Sequence, residues 1–511
     1  MLEILSISSV SVTLEIQNDK PFYSGECYDI ILNGENHGTT DRNVFSLFGL
    51  SPNTDYSLKL GSDHTISFKT SDESFALSVC DFGAKGDGIT DDTYAIQTAF
   101  AACPKNGRVY FPAGTYLSSP VFPKSNMTIE LCEGAELLGR RERERYPVLP
   151  ALIERDGKEF MVGSWEGNPV ACHAALLSLL NLENVIITGR GTLNGNADRE
   201  NWWIPRSKQL VPRPRLFYAY NCENITLEGI TVCNSPSWTI HPHFTNNSKF
   251  LSLSIQNPAD SPNTDGLDPE FCENILIAGV HFTVGDDCIA IKSGRIIMGE
   301  KGFGPTKNII IRNNLMEFGH GAVVMGSEVG GGISGVHISK CVFNETDRGI
   351  RLKTQRGRGK RSVIDGIHME NVLMNRVGTA FAINMYYIWG PDGKSDYVQS
   401  RDFYPVDERT PAIGSITVEN VTCKDVMTAA VAMHGLPESK IREVVMRNFH
   451  VSMDDEGALD YPVMADRIEQ VKKHGITLLN VAKVVMNNVT LENCEGEPIT
   501  LEGVDELVKN D

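Results

Sequence analysis

The sequence predicts an all-β protein, a parallel β-helix preceded by a small antiparallel β-sandwich. Three observations predict it. Residues 1 to about 72 hold short alternating runs, VSVTLEI, YDIILNG, VFSLFGL, YSLKL and HTISFKT, separated by Gly, Asn and Asp turns. Beyond them one theme recurs, a polar turn followed by a β-branched strand, as in LENVIITG, CENITLEG, CENILIAG, TKNIIIRN, DGIHMENV, GSITVENV and AKVVMNNV. Its spacing is irregular, at roughly 25–50 residues, which fits a solenoid with variable loops on one face. No long helical pattern intervenes, so a βαβ architecture is disfavoured, and a propeller would show four strands per unit at a steadier period. The expected domains are 1–72 and 73–511, joined near the polar stretch TSDES.

Bulk properties narrow the function. The chain has 511 residues, 41% hydrophobic and 22% charged, which is enough apolar mass for a large elongated core. A net charge of -18 argues against a general nucleic-acid binder, although a local basic site on an acidic surface still suits an anionic ligand. No apolar run is long enough to span a bilayer, so no membrane partner is expected. Twelve cysteines occur with no C-x-x-C pair, and several, such as Cys222, Cys272, Cys288 and Cys341, sit in apolar runs and read as buried free thiols. The opening MLEILSISSVSVTLEIQ has no basic n-region and alternates like a strand. The expected location is therefore cytoplasmic, or secreted if a leader has been removed. Oligomeric state is not legible.

From Asp81 the style changes. DFGAKGDGITDDTYAIQTAFAAC gives Gly-rich turns and then a helix, with Asp91 or Asp92 as N-cap and Ala95, Ile96, Ala99 and Phe100 on one face. GRVYFPAGTYLSSPV follows as strand, Pro-Gly turn and strand.

The chemistry concentrates in SPNTDGLDPEFCENILIAGVHFTVGDDCIAIKSG, Ser261 to Gly294. It places Asp265, Asp268, Asp286 and Asp287 in a strand–turn–strand segment, where Asp is disfavoured. The aspartates either shape turns or form an acid cluster. Coils of a β-helix stack at about 4.8 Å. Asp265 precedes Asp286 and Asp287 by 21 and 22 residues, about one coil, so the three become neighbours. Gly285 eases the bend that lets the adjacent pair share a cleft. One coil later FGHGAVVMGSE brings His320 between glycines, and the next, DRGIRLKTQRGRGKR, brings Arg348, Arg351 and Lys353. Arg351 and Lys353, at i and i+2, share a strand face. Each piece alone has an ordinary structural reading as turn or solvated charge. Their order, one coil apart, points to a site. Lys292 and Arg295 in IKSGR, with Arg356, Arg358, Lys360 and Arg361, extend a positive patch, and solvated loop charge is the competing reading for the last four. Trp202 and Trp203 border the cleft in a long loop. Trp238 reads equally as core or as a ring that stacks on a ligand.

These motifs carry resemblances. DFGAKGDGITDD with GRVYFPAGTY resembles the opening of the pectate-lyase-like right-handed β-helix proteins, with the helix capping the first coil. NTDG, GDDC, GHG and RLK resemble the signature of glycoside hydrolase family 28, the polygalacturonases, whose last motif is usually R-I-K. The likeness covers residues 81 to about 500. GLSPNTDYSLKL more modestly resembles the fibronectin type III pattern, with Tyr56 beginning a strand. The family resemblance implies hydrolysis of α-1,4-galacturonosyl bonds of an anionic pectic oligosaccharide or polysaccharide, with inversion, no cofactor and no metal. It implies Asp286 as general acid, Asp265 and Asp287 holding and deprotonating water, and His320 tuning the acid. Arg351 and Lys353 would bind a galacturonate carboxylate, with Asn263, Lys292, Arg295 and Tyr387 (Tyr386 as the alternative) as further contacts. The physics agrees: crowded carboxylates cannot all ionise, and a raised pKa suits an acid catalyst. Inverting enzymes leave about 6.5–9.5 Å between their carboxyls. Long insertions at 140–170, 196–214 and 388–411, with the extra N-terminal module, favour exo action over endo. Competing classes are a pectate lyase, which would need a Ca²⁺ cage that Arg351 and Lys353 repel, a rhamnogalacturonan hydrolase, and a non-catalytic glycan-binding β-helix that leaves the acid set unexplained.

Overall fold

The computed structural model describes residues 1–510 except 63, 156, 297, 299, 300, 302 and 391; two of these lie within the insertions 140–170 and 388–411. The N-terminal strands are β1 (Leu2–Ile7), β2 (Ser11–Ile16), β3 (Tyr23–Leu32), β4 (Glu35–Arg42), β5 (Val44–Phe48), β6 (Asp55–Leu60) and β7 (His64–Lys69). They form two antiparallel sheets, ordered β1-β2-β5 and β4-β3-β6-β7. Alternation puts Val12, Leu14, Leu32, Leu47, Leu58 and Leu60 between the sheets. The Ser51 N–H donates to Tyr56 Oη at 2.8 Å, pinning the turn that leads into β6.

The rest is a right-handed parallel β-helix whose first strand is Ala76–Ser78. Helix α1 (Thr93–Ala102) lays Ile96, Ala99 and Phe100 on the first coil and closes the open end of the core. The two candidate caps divide the work. Asp91 Oδ1 accepts from the Thr93 N–H at 3.1 Å, whereas Asp92 turns back to accept from the Lys85 and Gly86 N–H groups.

The recurring asparagines explain the coil turn. Asn126, Asn184, Asn224, Asn247, Asn274 and Asn308 all have φ between 50° and 61°. Asn tolerates this left-handed conformation better than other side-chain-bearing residues. Stacked in register, their amides form a ladder: Asn184 donates to Asn126, Asn224 to Asn184, Asn274 to Asn247 and Asn308 to Asn274, at 2.7–3.1 Å. The sequence theme is thus a turn requirement repeated once per coil.

The sandwich docks on the outer face of the helix through buried acids. Glu228 is fully buried and accepts from Ser11 Oγ at 2.5 Å, Thr13 Oγ1 at 3.0 Å and Thr188 Oγ1 at 3.0 Å. Glu15, equally buried, accepts from Asn313 Nδ2 at 2.6 Å and pairs with Arg312 at 2.8 Å. Glu228→Ala removes the charged acceptor that three hydroxyls share and leaves them only one another, Ser8 and Ser46 as partners, a cost of about 1–3 kcal/mol. The expected outcome is a lower urea midpoint with unchanged turnover per folded molecule. A variant as stable as wild type would show that the docking contact contributes nothing.

Candidate functional site

One face of the solenoid carries the site. Its strands Leu177–Leu180, Phe217–Tyr220 and Ile240–His243 form one sheet, and Ile289–Ile291, Val323–Met325, Arg348–Lys353 and Thr379–Asn384 begin another. Between them the coil bearing Asp265 and Asp268 pairs only by isolated bridges at Leu267 and Glu270. Strand regularity lapses where the aspartates sit, as their β-propensity dictates.

Backbone rungs align the coils. Thr239 N–H donates to Asp265 O at 2.8 Å, Gly266 N–H to Asp287 O at 3.0 Å, Cys288 N–H to Gly321 O at 2.8 Å, and Ala322 N–H to Arg348 O at 2.9 Å. His320 N–H donates to Asp286 O at 3.0 Å, so His320 stands one coil from that acid. Gly285 does not act as a flexible bend: it has no positive φ, and a Cβ there would meet Pro258 O and Ser261 Oγ at 2.5 Å. Its task is close approach. The GHG glycines do the same, since a Cβ on Gly319 or Gly321 would meet Asp286 O at 3.0 Å or Asp287 Oδ1 at 3.2 Å.

Asp265, Asp286 and Asp287 each offer an oxygen within 4.8 Å of the others. Adjacent coils and adjacent residues supply all three, which is what brings these oxygens together. Asp287 is clamped, with Lys353 Nζ at 2.7 Å from Oδ2 and Arg351 Nη1 at 3.3 Å from Oδ1. Lys292 Nζ lies 3.5 Å from Asp265 Oδ2. Burial disfavours charge on all three, but the cations reverse the outcome at Asp287, which is held down at about 2, by Lys353 first and Arg351 second. Asp265 is pushed up to about 7 by burial and by Asp286, and Asp286 is raised by burial and by Asp287. At neutral pH the cluster therefore holds one firm carboxylate and retains a proton on the other pair. Asp268, also fully buried, has no hydrogen bond to either oxygen among the described residues; burial first and then Asp265 raise its carboxyl well above the ordinary range, while Lys292, 3.8 Å away, pulls the other way.

The linkage sign at Asp265 gives a stability prediction. A carboxyl that titrates at about 7 in the fold, against 3.8 ordinarily, stabilises the fold fully below the lower value and loses that contribution as pH rises through the upper one. Asp265→Asn is expected to be more stable than wild type at neutral pH, with the advantage vanishing near pH 4, and to turn over very slowly. Thermal unfolding across pH checks it; an advantage that grows toward low pH would reverse the assignment.

The three acids open into a cleft of about 540 Å³, also bordered by Trp238, Asn263, Lys292, Arg295, Lys353 and Tyr387. Asn263 Oδ1 accepts from Arg213 Nη2 at 2.7 Å. Tyr387 lies below Lys353, with Nζ 5.9 Å from the ring, while Tyr386 is buried and donates to Gly435 O. Trp238 belongs to the site, with Lys292 Nζ over its ring at 4.4 Å. His320 sits on the rim, half-exposed and 3.7 Å from Asp347, facing a second cavity of about 500 Å³ that Arg348 and Arg351 also line.

Several expectations are corrected. Trp202 is fully buried against Tyr146 and does not border the cleft; Trp203 borders a neighbouring depression with Arg213 and Asn263. Arg356 is structural: it is buried on Glu438 at 2.6 Å and on the carbonyls of Tyr397, Ser400 and Asp402. Lys360 and Arg361 are exposed, Lys360 paired with Glu408. Arg348 reaches away from the acids to Asp460 and Tyr461 O. Sequence reasoning missed Glu328, which is buried 3.6 Å from Lys292 and 3.5 Å from Arg295 and held ionised by them at about 2. Its position in MGSE, on the coil after IKSGR, was the available signal. The segment near Met464, which contacts Arg351, carried none.

Comparison with known proteins agrees with the solenoid and places it among carbohydrate-cleaving β-helices. The family model for glycosyl hydrolases family 28 matches residues 155–472, and one for rhamnogalacturonase A/epimerase, pectate lyase-like, matches 76–131. The chain belongs to glycoside hydrolase family 28. It is 30% identical over 388 residues, 74% of each chain, to a probable polygalacturonase of Vitis vinifera. Among solved structures, the Yersinia enterocolitica family 28 exopolygalacturonase shares the fold over 99% of this chain and 98% of its own (TM-score 0.73, 21% identity). The Thermotoga maritima exopolygalacturonase matches 84% of this chain and 92% of its own (TM-score 0.62, 26% identity). Relatives named for endo and for exo action both occur.

Proposed function

We propose that the protein is a polygalacturonase that hydrolyses α-1,4-galacturonosyl bonds with inversion and acts from the chain end. The clamped Asp287 beside the proton-retaining pair carries this reading. Asp286 donates its proton to the glycosidic oxygen, while Asp265 helps to hold a water whose proton passes to the ionised Asp287. Neither is a free nucleophile: both Asp287 oxygens are held by cations, and Asp265 keeps a proton into the neutral range. A water is therefore the attacking group. Arg351, Lys353, Lys292 and Arg295 give the cleft a cationic wall suited to uronates.

The exo mode is supported by two of the insertions. Glu166 lines the cleft and, with Gly167, is pinned to Arg295, which donates from its backbone to Gly167 O at 3.0 Å and from Nε to Glu166 O at 2.9 Å. Gly167 is packed so closely that a Cβ would sit 2.8 Å from Glu328 Cγ. Trp389 and Gly390, from the 388–411 insertion, line the same cleft. The Thermotoga relative, at 26% identity, is named for exo action. The N-terminal sandwich is proposed to be fibronectin type III-like, on its strand order and the Tyr56 contact. A reducing compartment such as the cytoplasm is proposed from twelve free cysteines.

Product profiling with polygalacturonate and trigalacturonate tests the function. Short end-released products, initially of inverted anomeric configuration by NMR and formed equally with a chelator, are expected. A spread of mid-length oligomers would overturn the exo mode, first-formed retained anomer the mechanism, and a chelator-sensitive unsaturated product the hydrolase reading.

A further inference from the structure

Arg358 has no task in the hydrolysis just described. The structure buries it to 5% exposure, and its Nε and Nη2 are enclosed without a hydrogen-bond acceptor among the described residues. Arg356, two positions earlier, shows how this loop treats a guanidinium whose role is structural: a carboxylate and several carbonyls satisfy it. Leaving a buried charge unpaired costs several kcal/mol in general. The acid nearest in influence, Glu328, is already shared between Lys292 and Arg295. Burial, and then Arg295, pull Arg358 down to about 10, so it stays charged at neutral pH.

Gly390 shows where this charge points. A Cβ there would sit 3.4 Å from Arg295 Nη1 and 3.9 Å from Arg358 Nη2, so two guanidinium ends flank one position without a side chain. Gly390 lines the cleft that holds the three aspartates, together with Trp389, Glu166 and Arg295. A carboxylate has two acceptor oxygens, which matches two converging N–H ends. A neutral sugar in its place would leave Arg358 unpaired, which is how a site rejects an analogue lacking the expected group.

We propose that Arg358 and Arg295 together receive the carboxylate of the terminal galacturonate unit in this cleft, making Arg358 a specificity-determining residue. This rests on the polygalacturonase reading above. The test uses the full chain carrying Asp286→Asn, so that substrate survives, with and without Arg358→Met. Calorimetry compares digalacturonate with the same disaccharide methyl-esterified on its non-reducing unit. The parent is expected to prefer the free acid by on the order of 30-fold, as for a buried charge pair losing one member. Arg358→Met is expected to lose most of that preference and Arg358→Lys to keep part of it. In the otherwise intact enzyme, Arg358→Met should raise KM on trigalacturonate and leave kcat within about threefold, as removal of uniform binding does. A parent that does not distinguish the two disaccharides overturns the inference without any variant at Arg358. So does a folded Arg358→Met, or Arg358→Gln should the first not fold, that keeps the parental preference. If wild type hydrolyses no galacturonan at all, the reading of the reaction fails and takes this inference with it; if it does and the preference survives, the inference fails alone.

Discussion

Asp286→Asn is expected to lower kcat by about 10³-fold, within the range for removing a general acid, while substrate binding is retained. Asparagine keeps the shape and can still accept the Asp287 N–H that Asp286 Oδ1 accepts at 2.9 Å. It cannot deliver a proton to a leaving sugar oxygen. Asp286 suits that task because burial and the neighbouring Asp287 charge raise its pKa, whereas His320 and Lys353 pull the other way. The wild-type alkaline limb should follow loss of the proton shared with Asp265, near the value of about 7 at that partner. In the variant this limb should disappear from the residual rate, because no acid remains to be titrated. Steady-state kinetics across pH, with calorimetry on trigalacturonate, check both parts. Near-normal turnover in a folded variant would remove Asp286 from the acid role.

What the sequence disclosed and what it withheld divide along physical lines. Coil turns are local: each needs a left-handed residue followed by a β-branched strand, so the theme of polar turn and strand was readable, whereas the amide ladder that its asparagines build, as from Asn308 to Asn274, was not. The stacking of Asp265 beside Asp287 followed from one coil length and held, because parallel pairing fixes register once the turn is fixed. Burial of long-loop side chains is not local. Trp202 and Arg356 lie in segments without periodicity, so nothing in their neighbourhood told a cleft from a core, and both turned inward. Glu328 was overlooked because a lone acid in a Gly-rich loop reads as solvated; its meaning comes from Lys292 and Arg295 on the preceding coil. Gly285 was given the wrong reason, since a bend and a close approach have the same sequence signature and only the atoms opposite, here Pro258 O and Ser261 Oγ, separate them.

Lys353→Met should lower kcat/KM on oligogalacturonate by an amount on the order of 2–4 kcal/mol, since it leaves buried anionic groups without a partner. Two anions are at stake. One is the substrate carboxylate; the other is Asp287, whose Oδ2 sits 2.7 Å from Lys353 Nζ. The two losses have different signatures. Lys353 is the largest single influence holding Asp287 down at about 2, against 3.8 ordinarily. A depressed carboxyl pKa contributes stability above the ordinary value that is lost as pH falls through the depressed one. The variant should therefore unfold more easily than wild type at neutral pH, the gap should narrow toward pH 2, and the acid limb of its pH–rate profile should move upward. The substrate carboxylate is read by a cycle of two enzymes and two substrates, free and methyl-esterified. If Lys353 binds that carboxylate, the mutation and the ester each remove one half of the same contact and their costs should fall short of adding. Strictly additive costs, together with a displaced acid limb, would confine Lys353 to holding Asp287. Additive costs with an unmoved acid limb would leave it neither role and make its strand purely structural.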